Sequence, residues 1–211
     1  MDDNALALCE LSNDLVYAKI PKDKLWYYIS HSLEAGRDLA KEYQGNDIMT
    51  LYRENHIQIN YLDKSTEKFG VMLRGNAVLS QKGCSVELYR ESISLLAAHS
   101  RVEGGALLDY DTALWIHLAH EFYHYLEFKN GTTISMQLEP VKTINTKLFV
   151  RKAHVKRCEE IAAHAFAKEL LKLPVLPNYY DYLYLIDCGK MTQIQFESML
   201  KKNSELLHAE G

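Results

Sequence analysis

The segment at residues 112–128, TALWIHLAHEFYHYLEF, constrains the fold of this chain more than any other. It holds His120, Glu121 and His124 in an H-E-x-x-H pattern, and its apolar content predicts a helix that is buried around much of its circumference. At about 3.6 residues per turn, histidines four positions apart share one helical face, so both imidazoles can reach one metal ion. Glu121 stays close enough to that face to contact a metal-bound water, as a hydrolytic zinc centre requires.

A second predicted helix, at residues 152–173, supplies the carboxylate that such a site lacks. Its alanine-rich stretch CEEIAAHAFAKELL contains Glu160, and a catalytic zinc ion takes three protein ligands while keeping one position open. Glu159 points about 100° away around the helix and is the weaker candidate. The predicted cofactor is therefore Zn²⁺, bound by the two histidines and Glu160.

Two further histidines are candidates for supporting roles. His164 shares a helical face with Glu160 and could hydrogen-bond a metal ligand. His117 precedes His120 by one turn and could line the site, although a histidine that is hydrogen-bonded within the core is the commoner case. Cleavage of a peptide bond also needs a donor to stabilise the oxyanion. The candidates for that donor, which no spacing rule separates, are Tyr179, Tyr180, Tyr182, Tyr184 and His154.

The competing interpretation is that both segments are ordinary packing helices. H-E-x-x-H arises by chance, and alanine-rich helices with exposed glutamates are common. Against this, two histidines and a glutamate on a buried helical face would carry a large desolvation cost without a ligand. The helical context and the later glutamate therefore favour the metal site.

Composition excludes several classes of protein. With 211 residues, 47% of them hydrophobic, the chain is expected to form one domain. A net charge of −4 argues against nucleic-acid binding by bulk electrostatics, and the pairs Arg151-Lys152 and Lys156-Arg157 are interpreted as a solvated helix face. The amino terminus is acidic where a signal peptide is basic, and no apolar run approaches the roughly 18 residues of a membrane span. We expect a cytoplasmic protein without nucleic-acid or membrane partners.

The four cysteines predict neither disulfides nor a thiolate metal site. Cys9, Cys84, Cys158 and Cys188 are far apart in the sequence, and none belongs to a C-x-x-C pair. A disulfide framework or a cysteine-ligated zinc site is usually indicated by several cysteines at characteristic spacings, such as C-x-x-C pairs. This pattern is typical of a reducing compartment.

Strand-like alternation replaces helical periodicity in the middle of the chain. Apolar and polar positions alternate over residues 57–61, 69–73 and 86–90, which predicts three strands. Gly75 and Gly83 are interpreted as turns between antiparallel strands. The sequence therefore predicts a small antiparallel sheet.

Helical patterns cover most of the remaining chain. Helices are predicted at residues 22–43, 47–55 and 92–100, with a final amphipathic helix around Phe196. Residues 129–149 contain Asn130-Gly131 and Pro140 and are predicted to form a loop or hairpin that borders a cleft. Residues 1–211 are interpreted as one α+β domain, with a core at about 35–176 and helical flanks at 1–34 and 177–211.

Together, the HEFYH and EIAAHAFAKELL segments resemble the ImmA/IrrE family of zincin-like metallopeptidases, in which H-E-x-x-H precedes E-x-x-A-N-x-F-A. The resemblance covers about residues 35–176, and the chain departs from the pattern at His164, where the family has asparagine. The matching positions of the second motif are Glu160, Ala163, Phe166, Ala167, Leu170, Leu171 and Pro174.

The resemblance implies a zincin-like fold and a zinc-dependent endopeptidase. By residue-to-residue transfer, His120, His124 and Glu160 would bind zinc, and Glu121 would polarise the attacking water. The implied partner is a protein substrate, such as a helix-turn-helix repressor of a phage, mobile element or stress response. The alternative is a zinc-containing or metal-free regulatory protein that sequesters a partner without proteolysis.

Overall fold

The computed structural model describes residues 2–64, 66–68, 71–101, 107–146 and 149–208. Helices and strands alternate irregularly, as expected for an α+β fold. The helices are α1 (Asp3–Leu11), α2 (Leu25–Lys41), α3 (Ile48–Glu54), α4 (Arg90–His99), α5 (Tyr110–Asn130), α6 (Ile134–Gln137), α7 (Arg157–Leu171), α8 (Asn178–Asp187) and α9 (Gln193–His208). The strands are β1 (Gln58–Leu62), β2 (Thr66–Lys68), β3 (Val71–Leu73), β4 (Gly75–Ser80), β5 (Gly83–Tyr89), β6 (Val141–Asn145) and β7 (Val150–Ala153).

The three-stranded sheet has the order β1-β5-β4 and is mixed. β4 and β5 are antiparallel, but β1 runs parallel to β5, so the prediction of a purely antiparallel sheet is wrong. Parallel neighbours require a crossover, and β2, β3 and β4 lie between β1 and β5 in the sequence. The alternation of apolar and polar residues within one strand does not show whether its neighbour runs parallel or antiparallel.

Two details of the strand predictions change. Gly75 begins β4 and pairs with Leu88, so its assignment to a turn is wrong, whereas Gly83 does border the turn between β4 and β5. The strand predicted at residues 69–73 is observed as Val71–Leu73, and Phe69 and Gly70 lie outside the described residues.

The predicted helices are observed with ends that shift by up to three residues, and by five at the start of α7, whereas the loop or hairpin predicted at 129–149 contains the short helix α6. Asp109 caps α5 by accepting a hydrogen bond from the Thr112 amide, and Asp47 caps α3 in the same way. The helix predicted from residue 152 begins only at Arg157, because residues 150–153 form β7 and pair with β6. The Arg151-Lys152 pair therefore lies on a strand, and its interpretation as a helix face is wrong.

The core is built around α7, which packs against both α2 and α5. The alanines of α7 permit this proximity, since a Cβ atom placed on Gly36 of α2 would lie 2.1 Å from the Ala162 carbonyl oxygen. Phe122 of α5 and Phe166 of α7 are fully buried between these helices. Helices from both ends of the chain contribute to the same core through Leu6 and Phe196.

Two compositional expectations can be compared with the structure. All four cysteine thiols are free, in agreement with the absence of a predicted disulfide. Within the described part of the chain, the helices are all too short or too polar to cross a membrane.

Candidate metal centre

α5 and α7 bring His120, His124 and Glu160 together at one point. The His120 Nε2 atom lies 3.1 Å from Glu160 Oε2 and 3.2 Å from His124 Nε2, and His124 Nε2 lies 3.7 Å from Glu160 Oε1. The two histidines meet because they are four residues apart on α5, and Glu160 reaches them because α7 packs directly on α5. Within the described ranges, these side chains form a group that could hold a metal ion.

The spacing of the three side chains fits a tetrahedral ion. Ligand atoms at about 2.0–2.1 Å from a tetrahedral zinc ion lie about 3.3–3.4 Å from one another. Two of the observed separations, 3.1 and 3.2 Å, lie just below that value, and the third, 3.7 Å, joins His124 Nε2 to the other carboxylate oxygen of Glu160. One ligand atom from each of the three side chains lies within 4.8 Å of the others, so the group could hold one metal ion.

The charge around this group also favours a cation. Burial alone lowers the pKa of His124, but the neighbouring carboxylate of Glu127 and the charges of Glu160 and Glu121 outweigh it and raise the pKa to about 9. Burial would likewise raise the pKa of Glu160, but the hydrogen bond and charge of His120 hold it well below its ordinary value. Three carboxylates, those of Glu121, Glu127 and Glu160, therefore surround the two histidines, which can carry at most two positive charges.

Glu121 is buried beside the metal group and meets the sheet at Gly75. A Cβ atom on Gly75 would lie 2.9 Å from Glu121 Oε1 and 3.1 Å from its Cγ atom. Because a side chain at position 75 would occupy the space of the carboxylate, the first residue of β4 must be small. The sequence pattern predicted a turn at this glycine. In the structure, its missing side chain leaves the space that the Glu121 side chain occupies.

Glu127 is a part of the site that sequence analysis missed. Its Oε2 atom lies 3.6 Å from His124 Nδ1, on the side of the ring opposite to the metal group. Its Oε1 atom accepts hydrogen bonds from the Ile134 amide at 2.7 Å and the Tyr123 hydroxyl at 3.2 Å. A carboxylate held in this way fixes the ring of a metal-binding histidine with Nε2 toward the metal. The i+3 spacing from His124 was the available signal.

We expect the Glu127→Gln variant to bind zinc roughly 10–100-fold more weakly than the wild type, the usual cost of losing such a partner. The glutamine side chain would present either an N–H donor or an uncharged oxygen to His124 Nδ1. The orientation of the imidazole ring would then no longer be fixed. Competition with a chromophoric chelator measures the affinity. Asp14→Asn is the matched control, because Asp14 is also a buried carboxylate that accepts backbone amides, from Val16 and Arg157. Equal zinc affinity in Glu127→Gln and wild type would contradict this role.

A cleft of about 520 Å³ opens over the metal group. One wall is the start of β4 with Arg74 and Gly75, and the floor includes the two predicted supporting histidines, His117 and His164. Burial, together with the charge of His120, lowers the pKa of His164 to about 3, so its ring is neutral at pH 7. His117 Nε2 and His164 Nδ1 are both buried without a hydrogen-bond partner in the described structure. Both rings therefore line the cleft while each keeps one buried nitrogen without a protein partner.

The candidate oxyanion donors lie elsewhere. His154 binds the Ser135 carbonyl oxygen through Nδ1 at 2.8 Å, and Tyr182 is hydrogen-bonded to Cys9. The described lining of the cleft does not include these two residues, nor Tyr179, Tyr180 and Tyr184. A different donor is present, since the mostly buried Arg74 lines the cleft, forms an ion pair with Asp181 and leaves its Nε without a partner in the described structure.

Glu159, the weaker candidate ligand, is not part of the metal group. Its Oε1 atom accepts hydrogen bonds from the Ser135 hydroxyl and from Lys156 Nζ at 2.8 Å. The 100° offset around α7 thus separates the two neighbouring glutamates into different environments, as predicted.

Comparisons with known proteins identify no relative: no family model, curated protein or solved structure matches this chain. The ImmA/IrrE resemblance therefore stays a prediction from the two motifs.

Proposed function

We propose that this chain is a zinc-dependent endopeptidase with a zincin-like α+β domain. The observation that carries the proposal is the convergence of His120, His124 and Glu160 at zinc-ligand spacing, with Glu121 buried beside them. Bound zinc supplies Lewis-acid polarisation of a carbonyl group and makes a water molecule more acidic.

The protein's own side chains have separate tasks in this proposal. Glu121 accepts the proton of the attacking water and then delivers it to the departing amine, as a general base and acid. Glu127 keeps His124 oriented. Arg74 and the neutral His117 are assigned the donation of hydrogen bonds to the substrate, because both side chains line the cleft and each has a nitrogen without a partner in the described structure.

The edge of the sheet supports a polypeptide as the substrate class. β4 pairs with β5 on one side, and within the described residues no strand covers its other edge. Residues Arg74 to Ala77 of this segment line the cleft. An extended peptide can add to such an edge through backbone hydrogen bonds, which places a peptide bond over the metal group.

Metal removal tests the activity. Protein loaded with zinc is incubated with a pool of unstructured peptides, and new termini are identified by mass spectrometry. We expect cleavage by the loaded protein, loss of cleavage after chelation, and recovery on adding one equivalent of zinc. A protein that binds zinc stoichiometrically and cleaves nothing in the pool would instead favour the sequestering function.

Gly75→Ala should reduce cleavage by up to about 100-fold, the cost of displacing a reacting group by about 1 Å, while leaving zinc content unchanged. The new methyl group would enter the space of the Glu121 carboxylate. Val78→Ala is the control on the same strand, since Val78 is exposed and is not among the described residues that line the cleft. Zinc content and peptide cleavage are measured on both variants, and full activity in Gly75→Ala would refute the steric argument.

A further inference from the structure

The β6–β7 hairpin carries an unusual concentration of positive charge. Residues 141–153 contain four of the 24 lysines and arginines of the chain and none of its 28 acidic residues. Lys142, Arg151 and Lys152 are exposed on the hairpin and form no ion pair with any described residue. We call these three residues the basic collar.

Exposed apolar side chains lie beyond the Lys142–Lys152 pair, and one of them, Ile144, faces Arg151 across the two strands. Ile144, Phe149 and Val150 are 42%, 57% and 48% exposed, and we call them the hairpin tip. The cross-strand register places the Lys142–Lys152 pair nearer to the body of the protein than the tip residues Val150 and Phe149. Val141 is buried at the other end of the hairpin and anchors it to the fold. Among the described residues, two lysines therefore lie close to the body, and the exposed apolar groups lie at the level of Arg151 and farther out.

Both faces of the hairpin share this composition. Cross-strand partners lie on one face, and successive residues alternate between faces. Ile144 and Arg151 are partners and share one face, whereas Val150 and Lys152 lie on the other. A folded protein or a nucleic-acid duplex would cover one face of the hairpin and leave the other apolar side chain in water. A lipid interface surrounds an inserted tip on all sides.

From this geometry we propose that the hairpin is a peripheral docking element for bilayers that contain anionic phospholipids. Phe149 and Lys152 are three residues apart, or about 10 Å along an extended chain. Apolar groups at a membrane surface reach about 5–10 Å into the boundary between headgroups and acyl chains. Phe149 can therefore insert while Lys142 and Lys152 stay at the level of the lipid phosphates, and the long side chain of Arg151 extends back toward them.

This docking is independent of the proposed peptidase activity. It departs from the expectation of no membrane partner, which rested on the absence of a spanning segment and of a basic block in the sequence. The pairing of β6 with β7 unites Lys142 with Arg151-Lys152, which the sequence separates.

Vesicle flotation of the full chain tests the proposal. We expect the protein to float with vesicles of phosphatidylcholine and phosphatidylglycerol, and not with phosphatidylcholine alone. Replacing the collar by Lys142→Gln, Arg151→Gln and Lys152→Gln should lower the partition coefficient roughly 100-fold, since each basic residue contributes about a factor of five at an anionic surface. Replacing the tip by Ile144→Ser, Phe149→Ser and Val150→Ser should also abolish flotation.

Matched control variants test whether flotation depends on the hairpin residues or only on the total charge and exposed apolar surface of the protein. Lys82→Gln, Lys201→Gln and Lys202→Gln remove the same charge from exposed positions elsewhere, and Leu15→Ser with Ile194→Ser removes exposed apolar groups elsewhere. Both control variants should float like the wild type, and circular dichroism should show that all variants are folded. Equal flotation of collar variants and wild type, flotation with neutral vesicles, or binding of duplex DNA or polyglutamate without vesicle binding would overturn the proposal.

Discussion

The Glu121→Gln variant is expected to keep its zinc and lose peptide cleavage by a factor of about 10²–10⁴, the range over which a positioned general base contributes. Glutamine has almost the same shape as glutamate, so it fits the same space beside Gly75. A residue with a Cβ atom at position 75 would come too close to that side chain. Neither histidine nor Glu160 changes, and the metal group is intact. Only the ability to accept a proton from water is removed.

The decisive measurement is the ratio of cleavage rate to bound zinc, determined on the same preparation. Glu159→Gln is the matched control, because Glu159 also lines the cleft but binds Ser135 and Lys156 rather than facing the metal group. We expect this control to cleave at close to the wild-type rate. Undiminished cleavage by Glu121→Gln would refute the proposed mechanism, whereas a loss of zinc would show that Glu121 supports the metal group itself.

The sequence predicted the components of the site that depend on helical geometry. The two histidines share a face because α5 is regular, and Glu160 was separated from Glu159 by its angle on α7. Glu127 was missed although it follows His124 by three residues, because a glutamate near the end of a long helix is usually a solvated residue. Its burial depends on α6, whose Ile134 amide it binds.

The components that depend on non-local packing could not be predicted. Gly75 and Arg74 are adjacent to the site only because β4 forms the edge of a mixed sheet, and neither strand's sequence indicates that β1 pairs in parallel with β5.

The start of α7 was predicted too early for a related reason. Residues 150–153 are compatible with a helix locally, but their pairing with β6 stabilises a strand instead.

Zinc binding should fall by at least 10³-fold in both His120→Ala and Glu160→Ala, because a structural or catalytic zinc ion has three or four protein ligands and neither variant retains three. The two residues come from different helices, 40 positions apart in sequence, and meet at 3.1 Å. A loss in both variants would therefore show that one ion bridges α5 and α7. Metal analysis of dialysed protein and titration with a fluorescent zinc chelator provide the two readouts.

Controls for these variants come from the same helices. His117→Ala removes a histidine one turn before His120, and Glu159→Ala removes the carboxylate next to Glu160. Neither residue belongs to the metal group, so both variants should bind zinc close to the wild-type affinity. Since apo-protein keeps Glu160 paired with His120 at 3.1 Å, the alanine variants lose that pair as well, and thermal unfolding of the metal-free forms measures the loss separately. Full zinc binding by Glu160→Ala would exclude the glutamate-type centre, and the endopeptidase proposal would fail with it.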